Sequence, residues 1–169
     1  MHASETLRTN LQSVLVDLIA LHLQGKQAHW NIVGPNFRDL HLQLDEIVGD
    51  VREFSDQLAE RLRALNAQPD GRIEIVAATT HLPSFPAGDV ITTDAINVIT
   101  QRLNVTVENI RAVHDDVDEE DPTSADILHV FIEKLEQYAW MVSAENRQPQ
   151  SAAQNQAQAQ ASTGSTSTS

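Results

Sequence analysis

Residues 26–61 read KQAHWNIVGPNFRDLHLQLDEIVGDVREFSDQLAER. The stretch holds two helical patterns separated by Gly34-Pro35-Asn36, a combination that breaks a helix. On these two helices lie five side chains able to ligate a metal: His29, His41, Asp45, Asp56 and Glu60. Mixed imidazole and carboxylate donors suit iron, zinc or manganese better than calcium. His41 and Asp45 are four residues apart, as are Asp56 and Glu60, so on a helix each pair shares a face. Asp45 and Asp56 are eleven residues apart, roughly 16 Å along a helix axis. A metal–ligand bond is only about 2 Å long, so the two pairs cannot grip one ion within one straight helix. Either they are unrelated, or a second copy of the chain completes the site. A two-fold axis places the patch bearing one pair opposite the patch bearing the other, twice over.

Read singly, each residue has a plainer role. Asp56, Glu60 and Arg61 could be a solvated helix face with i,i+4 charge support. His29 could be a core histidine closing an apolar stripe, and His41 and Asp45 a local helical hydrogen bond. These readings would all have to hold together while the combined spacing matches a metal scheme. One other scheme is excluded by inspection. Single-subunit di-iron bundles carry Glu-x-x-His on facing helices, and no Glu in this chain has a His three residues on.

The motif K-x-x-H-W-N-x-x-G-x-x-F-x-x-L-H-x-x-x-D, followed by D-x-x-x-E-R, resembles the ferroxidase signature of the Dps family, the dodecameric mini-ferritins. Here it is carried by Lys26, His29, Trp30, Asn31, Gly34, Phe37, Leu40, His41, Asp45, Asp56, Glu60 and Arg61. The likeness runs over about residues 5–147. It implies a hollow homododecamer that oxidises Fe²⁺ with H₂O₂ or O₂ and stores the Fe³⁺ as mineral. It assigns His29, His41 and Asp45 of one chain, with Asp56 and Glu60 of its two-fold mate, as the iron ligands. Trp30 resembles the family's Trp beside the iron, able to intercept stray oxidising equivalents. Lys26 and Arg61 are expected to orient the site by pairing with carboxylates.

Working outward, helical periodicity predicts a first helix over residues 4–30, with Leu11, Leu15, Leu18, His22, Gly25 and His29 facing inward and Ser4 as its cap. A second helix is expected over residues 37–66, with Leu40, Leu44, Ile47, Val51, Leu58, Leu62 and Leu65 on its apolar side. Residues 72–88 form a crossing segment with a short helix over 73–78. A third helix is expected over 93–118, burying Ile96, Ile99, Leu103, Val107, Ile110 and Val113. A fourth follows Asp121-Pro122, with Thr123 and Asp126 as an acidic capping box and Ile127, Phe131, Leu135 and Trp140 or their neighbours buried. Four long helices with a long second connection predict an all-α, ferritin-like four-helix bundle with a short crossover helix between helices two and three. The domain should occupy residues 1–147. Residues 148–169 carry no charge and no hydrophobic periodicity, and are expected to be a disordered polar tail.

Composition narrows the partners. The 169-residue chain has a net charge of −13 and no cysteine. Disulfide and thiolate-metal schemes are therefore excluded. Neither a signal peptide nor a membrane span is evident in the sequence, and a cytoplasmic location is expected. Direct DNA binding should be weak, because the N-terminal arm offers only Arg8 and the tail after Arg147 has no cation. A nucleoid-compacting role and a metal-dependent hydrolase using the same site are the rival functions.

A second acidic run includes Asp115, Asp116, Asp118, Glu119, Glu120 and Asp121, with Asp126 beyond it. Much of it reads as a solvated loop. In the resembling family the start of the fourth helix surrounds a three-fold pore, which makes Asp121 and Asp126 candidates for drawing Fe²⁺ inward. His22 is expected in the core. His2, His81, His114 and His129 have no partner spacing and read as structural or surface residues.

Overall fold

The computed structural model describes residues 2–147. The expected tail from 148 to 169 lies outside them. Helix α1 spans Glu5–Asn31 and α2 Phe37–Ala64. The short α3 covers Ile73–Thr79, α4 covers Thr92–Glu120 and α5 covers Pro122–Ala144. Two-residue strands β1, Ile32–Val33, and β2, Val90–Ile91, pair in parallel, with Ile32 beside Val90. The chain is an all-α, ferritin-like four-helix bundle with one crossover.

The topology follows from three contacts. The Ala3 amide donates to the Leu65 carbonyl at 3.0 Å, tying the start of α1 to the end of α2. These two helices are therefore antiparallel. Strand β1 follows α1 and β2 precedes α4, so their parallel pairing starts α4 at the end where α1 finishes. The helices run up, down, down and up. The short strands pin the returning crossover, and the sequence pattern did not reveal them.

Packing explains why the helices form where they do. Ser4 caps α1, its Oγ accepting from the Leu7 amide at 3.0 Å. All of the expected α2 stripe is buried. On α4, Ile96, Ile99, Leu103, Val107 and Ile110 are buried, while Val113 is only partly so. On α5 the buried side is Leu128, Phe131, Leu135, Tyr138 and Val142. Ile127 is only partly buried and Trp140 is 61% exposed. The core register of this helix thus passes through the neighbours of Trp140, not Trp140 itself. Asp121, not Thr123, is the N-cap of α5, so the Thr123–Asp126 capping box does not form. Pro122 at the first position sets the helical φ and lacks only an N–H that would have no intrahelical partner.

Two buried charged residues fasten the crossover. Asp17 is fully buried and accepts from the Thr80 hydroxyl and the His81 amide, both at 2.8 Å. The His81 ring and Asn109 Nδ2, each at 2.9 Å, complete its shell. Arg102, also buried, donates to Gln24 and to the Ser84 carbonyl, both at 3.0 Å. The cost of burying each charge is offset by these charge-assisted bonds. His81 is thus structural.

Candidate metal centre

The C-terminal turn of α1 and the first turns of α2 meet across the break at Gly34-Pro35-Asn36. Gly34 adopts φ +112° and Asn36 φ +57°, left-handed values that Gly and Asn tolerate best. The break lets α2 fold back so that its residues 41 and 45 stand beside residue 29. Higher up, Gly25 permits the close approach: a Cβ there would lie 2.7 Å from Val48 Cγ2.

The ligand atoms of His29, His41 and Asp45 all lie within 4.8 Å of one another, the only such group of three or more among the described residues. The two imidazoles stack, with ring centroids 3.6 Å apart. His29 Nδ1 lies 3.1 Å from the His41 carbonyl oxygen, and His41 Nδ1 lies 3.0 Å from that of His29. A carbonyl only accepts, so each Nδ1 carries its proton and donates. Each Nε2 is left with a lone pair, the tautomer a metal requires. His29 is buried, His41 half-buried and Asp45 exposed.

Lys26 Nζ donates to Asp45 Oδ1 at 2.8 Å, and its hydrogen bond holds the Asp45 carboxyl below the ordinary carboxylate value. The site therefore presents the Asp45 carboxylate beside two imidazole rings whose Nε2 atoms are not engaged by the backbone, a donor set that fits a divalent transition ion. Lys26 also sits 5.9 Å from the Trp30 ring centroid. Trp30 itself is 69% exposed.

Asp56 and Glu60 do not join this group. Both are exposed, farther along α2. Asp56 borders a cavity of about 420 Å³ whose walls include Leu15, Ile19, Arg52 and Ala59. Because the helices are antiparallel, one face of the α1–α2 pair carries the His29 cluster at one end and Asp56 at the other. On α1, Leu23 and Trp30, two helical turns apart, are both more than half exposed.

Other expected site residues are placed differently. Arg61 turns away from the cluster and forks onto buried Asp121 at 2.6 and 2.9 Å, with Nε on Ser124 Oγ at 3.0 Å. Burial acts to raise the Asp121 carboxyl, but the bonds from Ser124 and Arg61 outweigh it and hold the group below its ordinary value. This carboxylate is spent inside the subunit, whereas Asp126 is exposed. His22 is half-buried, not in the core. Its pKa is lowered by burial and by nearby Arg52 and Lys26. Asp17 and Arg102 are buried although a lone charge within a helical pattern carries no sign of its burial.

Residues 8–150 match the family described as Ferritin-like domain. The sequence is 33% identical over 144 residues to the DNA protection during starvation protein of Agrobacterium fabrum, covering 85% of this chain and 89% of that one.

The chain belongs to the Dps family of ferritin-like proteins.

This Dps-family chain is also 34% identical over 134 residues to DNA protection during starvation protein 2 of Deinococcus radiodurans. That match covers 79% of this chain but only 56% of the longer relative. Its fold superposes on Dps from Microbacterium arborescens in the high iron form with a TM-score of 0.79 at 30% identity, over 86% and 97% of the two chains. Among the described residues, no helix of this Dps-family chain is long and apolar enough to cross a membrane.

Proposed function

We propose that the protein is a ferroxidase and iron-storage protein whose iron sites are shared between two-fold-related subunits of a homododecamer. The observation that carries this reading is the split ligand set. His29, His41 and Asp45 converge at one end of the α1–α2 face, and Asp56 stands exposed beside a cavity at the other. A two-fold axis across that face brings opposite ends together and makes two equivalent sites. The exposed apolar side chains Leu23 and Trp30 support the same interface, since a partner would cover them.

Fe²⁺ is the substrate. His29, His41 and Asp45 would hold it from one chain, with Asp56 and Glu60 reaching over from the mate. An arriving cation takes the place of the Lys26 ammonium on Asp45. Two Fe²⁺ each give one electron to H₂O₂, which with two protons yields two waters and two Fe³⁺. The two-electron route avoids releasing hydroxyl radical, and O₂ is the alternative oxidant. Trp30, beside His29 and adjoining the interface, can supply an electron when an oxidising equivalent escapes. The family's link with DNA protection needs no DNA contact on this reading, because removing Fe²⁺ and peroxide is itself protective. A chain of net charge −13 lacks the cations that release counterions from DNA. The cytoplasm suits such a role.

The test is complementation. A variant carrying His29→Ala and His41→Ala is mixed, under subunit exchange, with one carrying Asp56→Ala and Glu60→Ala. Hybrid dimers regain one complete site of two, so Fe²⁺ oxidation should rise above both parents. No rise despite demonstrated exchange would refute sharing between subunits.

A further inference from the structure

Two contacts fix the register of α1 against α2. A Cβ on Gly25 would meet Val48, and the His29 ring stacks on His41. The helices are antiparallel, so each step back along α1 is matched by a step forward along α2. Leu15 thus comes level with Asp56, and the two line one cavity of about 420 Å³. Leu15, Ile19 and Ala59 give that cavity apolar walls, while Glu53 and Asp56, both exposed, border it with negative charge.

Trp30 lies on the same face of α1 as the cavity. It stands eleven residues from Ile19, three turns of about 3.6 residues, with Leu23 and Lys26 between them on one stripe. Its indole is 69% exposed, although such a side chain buries about 150–250 Å² when seated. The shared iron site, on which this inference rests, sets the level of His29 in one chain against the level of Asp56 in the other. The two-fold axis then crosses α1 midway between His29 and Leu15, at His22. Trp30 is eight residues beyond that point, about 12 Å along the helix. It therefore faces the level of Leu15 of the partner subunit, where the cavity lies. Lys26 Nζ sits 5.9 Å from the Trp30 ring centroid, and the same axis carries it toward the acidic border. Charge is thus complementary beside the apolar contact.

We infer that Trp30 of each subunit plugs the α1–α2 cavity of a second copy of this chain and anchors the dimer that completes the iron site. An isologous interface makes the contact twice. A rigid aromatic side chain filling a desolvated pocket is the form an interface hot spot takes. Because Trp30 follows His29 in the chain and Asp56 borders the cavity, seating the indole brings Asp56 to the partner's cluster.

Trp140→Phe leaves Trp30 as the single indole of the metal-free, assembled protein. Its emission should be shifted to the blue and quenched by acrylamide less than that of free N-acetyltryptophanamide. Ala59→Phe fills the cavity from within, and Trp30→Ala empties it. Each alone should weaken subunit association about tenfold or more, read by sedimentation against concentration. Combined, they should weaken it less than the product of the two losses, since the new phenyl ring occupies the space the indole leaves. A fully quenchable Trp30 in the assembled protein, unchanged association in either single variant, or losses that multiply would overturn the plug. The complementation assay reads the iron site separately. Restored oxidation with an exposed Trp30 would overturn the plug alone, and a seated Trp30 without restored oxidation would overturn the ligand assignment alone.

Discussion

His29 and His41 each donate from Nδ1 to the other's backbone carbonyl, at 3.1 and 3.0 Å. The bond is reciprocal, so each residue fixes both the tautomer and the ring plane of its neighbour. Removing either imidazole therefore costs a ligand and the stacking contact of the other ring, while the backbone carbonyl that orients the remaining imidazole stays in place. His41→Ala should lower Fe²⁺ affinity and initial oxidation rate by more than the ten- to hundredfold typical of losing an outer partner alone. Stopped-flow absorbance of the Fe³⁺ product measures this. A loss under threefold would mean that the stacked pair is packing only.

Gly25 and Gly49 should respond in opposite directions to the same change. Alanine gains about 1 kcal/mol over glycine within a helix. At Gly49 a Cβ meets nothing within 4 Å, so Gly49→Ala should raise stability by about that amount. At Gly25 the new Cβ would lie 2.7 Å from Val48, a β-branched side chain with little χ1 freedom in a helix. Overpacking of about 1–3 kcal/mol then exceeds the propensity gain. Gly25→Ala should lower the melting temperature and weaken metal binding one turn away at His29. Equal melting shifts for the two variants would contradict the close approach of α1 and α2.

The Arg61–Asp121 pair should give a stability term with a defined acid limit. Asp121 titrates below its ordinary value of 3.8, so its contribution is complete above that pH and is lost as the pH falls through the lower folded value. Asp121→Asn leaves the Arg61 cation short of its counter-ion and should cost about 3 kcal/mol at neutral pH. Thermal unfolding at a series of pH values should show a gap from the parent that is flat from pH 7 to 5 and narrows below about pH 4. A gap that widens toward acid would reverse the sign argued here.

Asp126 should act on iron delivery, not on oxidation. It is exposed at the start of α5, whereas Asp121 is engaged by Arg61, so any steering field in this region falls to Asp126 and its exposed acidic neighbours. Asp126→Asn should slow mineral loading at low ionic strength and lose that effect in ~0.15 M salt, where the Debye length is about 8 Å. Initial oxidation of the first few irons should change less. Wild-type loading rates at low salt would remove Asp126 from the uptake route.

The sequence by itself determined the bundle, and its resemblance to the Dps family grouped His29, His41 and Asp45 as candidate ligands. Apolar residues at helical spacing must face a core. The break at 34–36 must turn the chain, and His29, His41 and Asp45 flank that break closely enough that any antiparallel hairpin brings them together. Local physics sufficed because the separations are short. Tertiary structure decided the rest. Arg61 and Asp121 are 60 residues apart, and no local pattern indicates that the one acid in a run of six that caps α5 is also the one that turns inward. Asp17 reaches residues 80, 81 and 109, and Arg102 reaches 24 and 84, so their burial depends on the crossover lying over the bundle. A charged side chain reads the same in sequence whether it meets water or a partner, and only the packed fold distinguishes the two.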